Sequence, residues 1–221
     1  MERTLEPEIL DHLSPEDPEA LSSRKDLRFF NAWLGTGRWF ERELISAIEP
    51  DDCLLEIGAG EGCLIRRLQR RAAEGGSDSA AWAALDRHRM EKGPGKGGCI
   101  ESIEADLHSY PDMDRFSIIF GNMILHHFDK RELRDLGRRL ASRSRLLVFQ
   151  ETLRSSLHLW LCRGVSIFMA RPTRNDAPAS VRAGFRRDEL PRWLGLDRAE
   201  WSVRIRHTPR GAYRMVARRH D

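Results

Sequence analysis

Apolar and polar positions alternate in blocks along most of the chain. A short apolar run covering Leu54–Ile57 is followed by a segment of helical period, Leu64–Ala73, with Leu64, Ile65 and Leu68 on one side. Runs of strand length recur at Ala80–Leu85, closed by Asp86, at Cys99–Ile103, at Phe116–Gly121 and at Arg145–Gln150, closed by Glu151. An amphipathic stretch, Lys130–Ser142, separates the last two. Strand-length runs that alternate with helical ones predict a parallel sheet covered on both faces. Near the end, Trp201–His207 and Tyr213–Arg218 switch to a period of two around Thr208-Pro209-Arg210-Gly211. That pattern predicts a closing antiparallel hairpin.

Ahead of the first run, residues 14–48 read as helical. Ser14-Pro15-Glu16-Asp17 offers a cap, a proline at the first position and acids in the first turn. Leu27, Phe30, Trp33 and Leu34 follow a helical stripe, Gly35-Thr36-Gly37 breaks it, and Trp39, Leu44 and Ile48 carry a second helix. The expected division is a helical cap over 1–49 and an α/β domain over 50–221, with an apolar insertion at about 155–185. Phe30, Trp33 and Trp39 are placed to lie over a pocket, although buried aromatic stripes are core by default. Glu74–Ser79 and the glycine-rich stretch 87–98 read as loops.

The candidate chemistry starts at Glu56-Ile57-Gly58-Ala59-Gly60-Glu61-Gly62, between the first strand and the first helix of the sheet domain. Alternate glycines permit a tight turn and let a ligand approach the backbone. A dinucleotide fingerprint spaces its glycines differently and keeps the turn neutral under a pyrophosphate. Here Glu56 and Glu61 would repel a pyrophosphate and suit a cationic ligand.

Composition narrows the class. No run of 18 apolar residues suggests a membrane span, and the acidic start Met-Glu-Arg-Thr-Leu-Glu-Pro-Glu has no secretory h-region. Cys53, Cys63, Cys99 and Cys162 form no C-x-x-C pair, so a reduced cytoplasmic protein is expected. From Leu136 onward there are 19 arginines, no lysine and seven acids. A basic half can serve nucleic acid. However, no aromatic-interleaved stripe, RNA-binding signature or zinc spacing accompanies it, and an arginine bias runs through the whole chain.

With these residues in place, the chain resembles a class I S-adenosylmethionine-dependent methyltransferase over roughly residues 50–219. The carriers are the glycine turn, Asp86, Asp106-Leu107, and Gly121-Asn122-Met123-Ile124-Leu125-His126-His127-Phe128, each at a strand end and in the family's order. The last segment is similar to that of small-molecule enzymes of the quinone-biosynthesis type. The resemblance implies a Rossmann-like, doubly wound, mostly parallel seven-stranded sheet with an antiparallel C-terminal hairpin, and S-adenosyl-L-methionine as cofactor. It also implies a cofactor site of Glu56, Gly58, Gly60, Gly62, Asp86, Asp106, Leu107 and Asn122. Asp86 would take the ribose hydroxyls, because a carboxylate accepts two O–H bonds at once. Asp106 and the Leu107 amide would meet the adenine. One departure is the 30 positions from Glu56 to Asp86, against about twenty for the comparable acid of the dinucleotide fingerprint.

The acceptor is less constrained. Marks of DNA amino-methylating, cytosine-C5 and arginine methyltransferases are missing, which leaves a small molecule as the expected partner. The apolar stretch 157–170 sits where the family often builds an acceptor lid, and a buried helix is an equal reading. Arg171, Arg174 and Arg182 follow it. The segment Arg174–Phe185 resembles one in bacterial methyltransferases of secondary metabolism, which points to a phenolic or carboxylic acceptor and O-methylation. His126 and His127 are the candidate bases, since histidine titrates near neutrality; no metal site is expected. The alternatives are an RNA or protein methyltransferase docking through the basic half, and a non-methylating relative of the fold.

Overall fold

The computed structural model describes residues 1–14, 16–76, 79–90 and 99–220. The first long helix, α1 (Pro18–Leu34), starts from Asp17, whose side chain accepts the Glu19 amide, with Pro18 at the first helical position. The start signal expected at Ser14-Pro15 is therefore used three residues later; Pro15 lies outside the described residues. Gly35, in the left-handed region at φ 68°, ends α1 and opens α2 (Thr36–Leu44).

The sheet follows: β1 (Cys53–Ile57), α3 (Cys63–Glu74), β2 (Ala81–Asp86), β3 (Ile100–Glu104), β4 (Ile118–Asn122), α4 (Lys130–Leu140) and β5 (Leu146–Thr152). Then come α5 (Ser156–Ser166), α6 (Arg171–Ala183), the short α7 (Glu189–Leu194), β6 (Trp201–His207) and β7 (Ala212–Arg219). Each expected strand is present within two residues. Residues 91–98 of the loop expected over 87–98, and part of the one at 74–79, lie outside the described residues.

The seven strands run in the order β3-β2-β1-β4-β5-β7-β6. The first five are parallel, β7 is antiparallel to β5, and β6 is antiparallel to β7. Strand order reverses at β1/β4, and ligands of open α/β sheets bind outside the carboxyl ends at such a point. The glycine turn, Asp86, Asn122 and Thr152 all stand at that edge, because the strands that carry them are parallel.

Two apolar layers flank the sheet. Alternation along β1 and β5 sends Leu54, Leu146 and Val148 to the layer under α2 and α3, and Leu55, Leu147 and Phe149 to the layer under α4 and α7. The same alternation fixes where the polar ends of these strands point: Glu56 and Gln150 to the first side, Glu151 to the second.

The expected cap over 1–49 is not a separate layer throughout. Trp39 and Phe40 are core residues of the α2/α3 layer, their rings 4.6 Å apart. Trp39 is thus not a pocket residue, whereas Trp33 is exposed and Phe30 half-buried. The first 13 residues form a strap across the other side. Arg3 donates to the carbonyls of His126, Phe128 and Ala183, Glu6 pairs with Arg182, and Asp176 accepts the Ile9 and Leu10 amides.

Candidate functional site

The glycine turn takes three left-handed residues, Gly58 (φ 65°), Gly60 (φ 52°) and Gly62 (φ 69°). A side chain at Gly58 would collide with Ile124, 2.7 Å from where its Cβ would stand. At Gly60 a Cβ would project into open space at the sheet edge, so the turn presents bare backbone outward.

Glu56 is turned inward. It is buried, and Oε2 accepts the Ile65 amide at 3.0 Å, in the first turn of α3. Burial, reinforced by the Asp86 charge, pushes its carboxyl up to about 8 against the pull of the Ile65 amide and Arg66. Glu61 points outward and pairs with Arg28 of α1 at 2.7 Å. The expected acidity of the turn is therefore reduced on both counts: at neutral pH Glu56 holds its proton and Glu61 has a cationic partner. What distinguishes the turn from a pyrophosphate cradle is its glycine spacing; an acid closing the second strand is common to both.

That acid is Asp86. Oδ2 accepts the Gly60 amide at 2.8 Å and Oδ1 accepts the His88 amide at 3.1 Å, so the end of β2 is tied to the turn after β1. The long span from Glu56 is taken up by the 12-residue α3 and the loop after it. Asp106 lies just past β3, with Oδ1 on the His108 amide and Oδ2 paired with Arg87 at 3.1 Å. Leu107 is buried beside it, and its carbonyl is held by Arg139.

Asn122 ends β4 inside a polar network that sequence reasoning missed. Its Nδ2 donates to Asn31 of α1, and its Oδ1 accepts from Gln150 Nε2, both at 3.0 Å. Gln150 also donates to Thr36 and accepts from Arg214, whose guanidinium lies over the Trp39 ring. The network fastens the α1–α2 junction to the strand ends. The isolated polar letters within a strand and a helix carried no spacing that could have revealed it.

After Asn122 the chain turns sharply. Met123 adopts φ 57°, a left-handed conformation in a residue with a side chain, held by the hydrogen bond its N–H donates to the Gln150 carbonyl at 2.8 Å. Glu151, fully buried, accepts the Ile124 and Leu125 amides at 3.0 and 2.7 Å and meets His126 Nδ1 at 2.7 Å. Burial alone would lower the His126 pKa. Its contacts with Glu151 and Glu8 outweigh that and raise it to about 10, while Glu8 is brought down to about 2 against its own burial. His126 thus stands buried between two carboxylates, Glu151 at 2.7 Å and Glu8 at 3.5 Å. His127 stacks on it, ring centroids 4.3 Å apart, and is part-exposed; burial and the His126 charge lower its pKa.

The insertion is two helices. α5 turns Leu157, Trp160, Leu161 and Val165 outward, and Phe168 just beyond it is 90% exposed. It leaves the carboxyl end of β5, the same edge as the glycine turn. Arg182, one of the arginines expected at a pocket mouth, is engaged by Glu6, and Arg171 approaches Glu19 at 3.9 Å. Among the described residues no helix is long and apolar enough to cross a membrane.

No family model matches the sequence, and no curated protein matches it. Solved structures match its shape. The fold is that of class I methyltransferases. The plantazolicin methyltransferase BpumL in complex with SAH superposes with a TM-score of 0.69 over 93% of this chain and 92% of that one, at 14% identity. Magnesium protoporphyrin IX methyltransferase from Synechocystis PCC 6803 with bound SAH gives 0.56 over 90% and 87%, at 15% identity. The methyltransferase domain of bacterial CtHen1-C gives 0.59 over 84% and 97%, at 13% identity.

Proposed function

We propose that this protein transfers a methyl group from S-adenosylmethionine to a small-molecule acceptor, with O-methylation of a phenolic or carboxylic metabolite as the favoured case. The carrying observation is the Asp86 carboxylate held against the Gly60 amide, at the carboxyl edge where strand order reverses. The bare Gly60 backbone gives a ligand room, and the fold shared with two methyltransferases solved with SAH supports a cofactor of that kind.

When bound, the cofactor supplies a methyl group on a sulfonium, open to in-line displacement. The chain's part is to bind, orient and exclude water. Gly58, Gly60 and Gly62 shape the turn. Asp86 offers both carboxylate oxygens to ribose hydroxyls, and Asp106, once its pair with Arg87 opens, receives the adenine amino group beside the Leu107 amide. Glu56 fixes α3 behind the turn and supplies a carboxyl that can ionise toward a cationic ligand. Asn122 joins the α1–α2 junction to this edge. His126 serves the transfer by holding the turn after β4, and the part-exposed His127 is the candidate to take a proton. The outward apolar side chains of α5 suit an apolar acceptor.

Part of the charge of the basic half is already paired, which leaves less of it for the nucleic-acid alternative. Arg138, Arg145, Arg154, Arg171, Arg182, Arg186, Arg204 and Arg219 each have an acidic partner. A panel of phenolic and carboxylic acids, transfer RNA and a basic peptide, incubated with methyl-labelled S-adenosylmethionine, tests the reading. Label is expected in a small acid; label only in RNA or peptide overturns it.

A further inference from the structure

The strap and the turn after β4 meet at a cluster of three side chains able to ligate a metal. Glu8 comes from the strap; His126 and His127 come from the one-turn helix Leu125–His127. One donor atom from each lies within 4.8 Å of the others. The His126 ring is buried, and its Nε2 makes no hydrogen bond; the Glu8 carboxylate stands 3.5 Å away. A buried nitrogen left with only this 3.5 Å contact calls for an explanation. Its other nitrogen is bound to the Glu151 carboxylate at 2.7 Å, the arrangement that orients a metal-ligating histidine and raises its basicity. Glu8 is itself steadied by the Ser180 hydroxyl. Asp11, three residues after Glu8, brings a further carboxylate oxygen to 3.7 Å from His127 Nδ1.

We propose that Glu8, His126 and His127 bind a divalent transition-metal ion of the zinc class, which fastens the N-terminal strap to the turn after β4.

Two imidazoles and a carboxylate suit zinc and its neighbours better than magnesium or calcium, which prefer all-oxygen shells. Zinc–ligand bonds of about 2.0–2.2 Å put tetrahedral donors roughly 3.3–3.6 Å apart. The Nε2 of His126 and Glu8 already stand at that separation, 3.5 Å, and the His127 donor lies within 4.8 Å of both. The cation takes the place of the Nε2 proton, which passes to solvent. Glu8, Glu151 and Asp11 supply the negative charge that balances it. Asp11 or a water completes the fourth position. The ion would sit among the strap's existing anchors, the Arg3 bonds to the His126 and Phe128 carbonyls and the Glu6–Arg182 pair.

Untagged full-length protein, stripped with a chelator and titrated with zinc against a fluorescent competitor, tests this. Wild type should take up about one equivalent, melt at a higher temperature, and resist proteolysis within residues 1–13. Glu8→Gln and His127→Ala, both near the surface of the cluster, should each lose at least tenfold in zinc affinity and lose the added protection. Circular dichroism checks that both variants fold, and if His127→Ala does not, Glu8→Gln decides alone. No stoichiometric uptake by wild type overturns the site. So does equal uptake by wild type and the folded variants, which would move the metal elsewhere, for instance to the cysteines.

Discussion

Gln150 and Glu151 are adjacent on β5 and point to opposite faces of the sheet. Gln150 holds Asn122, Thr36 and Arg214 on the α2 side; Glu151 holds the Ile124 and Leu125 amides and His126 on the other. The two-residue period of the strand thus lets one position anchor the helices before the sheet and the next anchor the turn after β4. Both residues are fully buried, so each polar group there carries the cost of desolvation if its partner goes.

Replacing Gln150 with leucine keeps the volume and removes three hydrogen bonds at once. Thr36, Asn122 and Arg214 would each lose a buried or half-buried partner. We expect a loss of about 2–3 kcal/mol in urea-denaturation stability. Proteolysis should rise at the Gly35 break between α1 and α2. A variant as stable as wild type would mean that water replaces the amide without cost.

On the other face, Glu151→Gln and His126→Asn should each destabilise strongly, by roughly 3–5 kcal/mol, because each removes the short buried contact between the two, leaving His126 only the longer one to Glu8. The double variant should lose less than the sum of the two, a coupling above about 1 kcal/mol in a double-mutant cycle. Independent effects would separate His126 from Glu151. A fall of 10²–10⁴ in turnover for His126→Asn at unchanged melting temperature would restore it as a base.

Glu56 predicts a pH effect with a definite sign. Its carboxyl titrates at about 8 in the folded chain and in the ordinary carboxylate range when unfolded. Between those values the folded state binds the extra proton, so stability falls as pH rises, by up to about 1.4 kcal/mol per pH unit. Glu56→Gln keeps an acceptor for the Ile65 amide and removes the titration. The variant should therefore melt above wild type at pH 9, with the gap closing toward pH 4. A gap that stays constant across this range would show that Glu56 does not carry the proton.

The parallel sheet, its strand ends and the closing hairpin were legible in the sequence because each strand is a buried run bounded by turns, and periodicity reports burial directly. Asp86 was legible for the same reason, as an acid at the end of such a run. The interior fate of Glu56 could have been read from strand alternation, since it shares the parity of Leu54, which packs under α3. Trp39 was ambiguous because an aromatic stripe does not say which neighbour covers it. The contacts of Glu8 with His126 and of Asn31 with Asn122 join residues about a hundred positions apart, and no local pattern encodes such pairings.

Asp86 gives the sharpest test of the proposed cofactor site. In the free protein its carboxylate accepts the Gly60 and His88 amides, and a ribose would add two hydroxyl donors to the same charged group. Hydrogen bonds to a charged group contribute about 1.5–3 kcal/mol each, and part of the Asp86 capacity is already used. Asp86→Ala should therefore weaken S-adenosylhomocysteine binding by about 2–3 kcal/mol, roughly 30- to 150-fold in calorimetry. Asp86→Asn, which keeps an acceptor for Gly60 but loses the charge, should fall between alanine and wild type. That order separates the ligand contact from mere loosening of the turn, which asparagine would largely repair. NAD should not bind any of the three proteins. Unchanged affinity in the alanine variant would move the ribose acid to another strand end and remove the observation on which the methyl-transfer proposal rests.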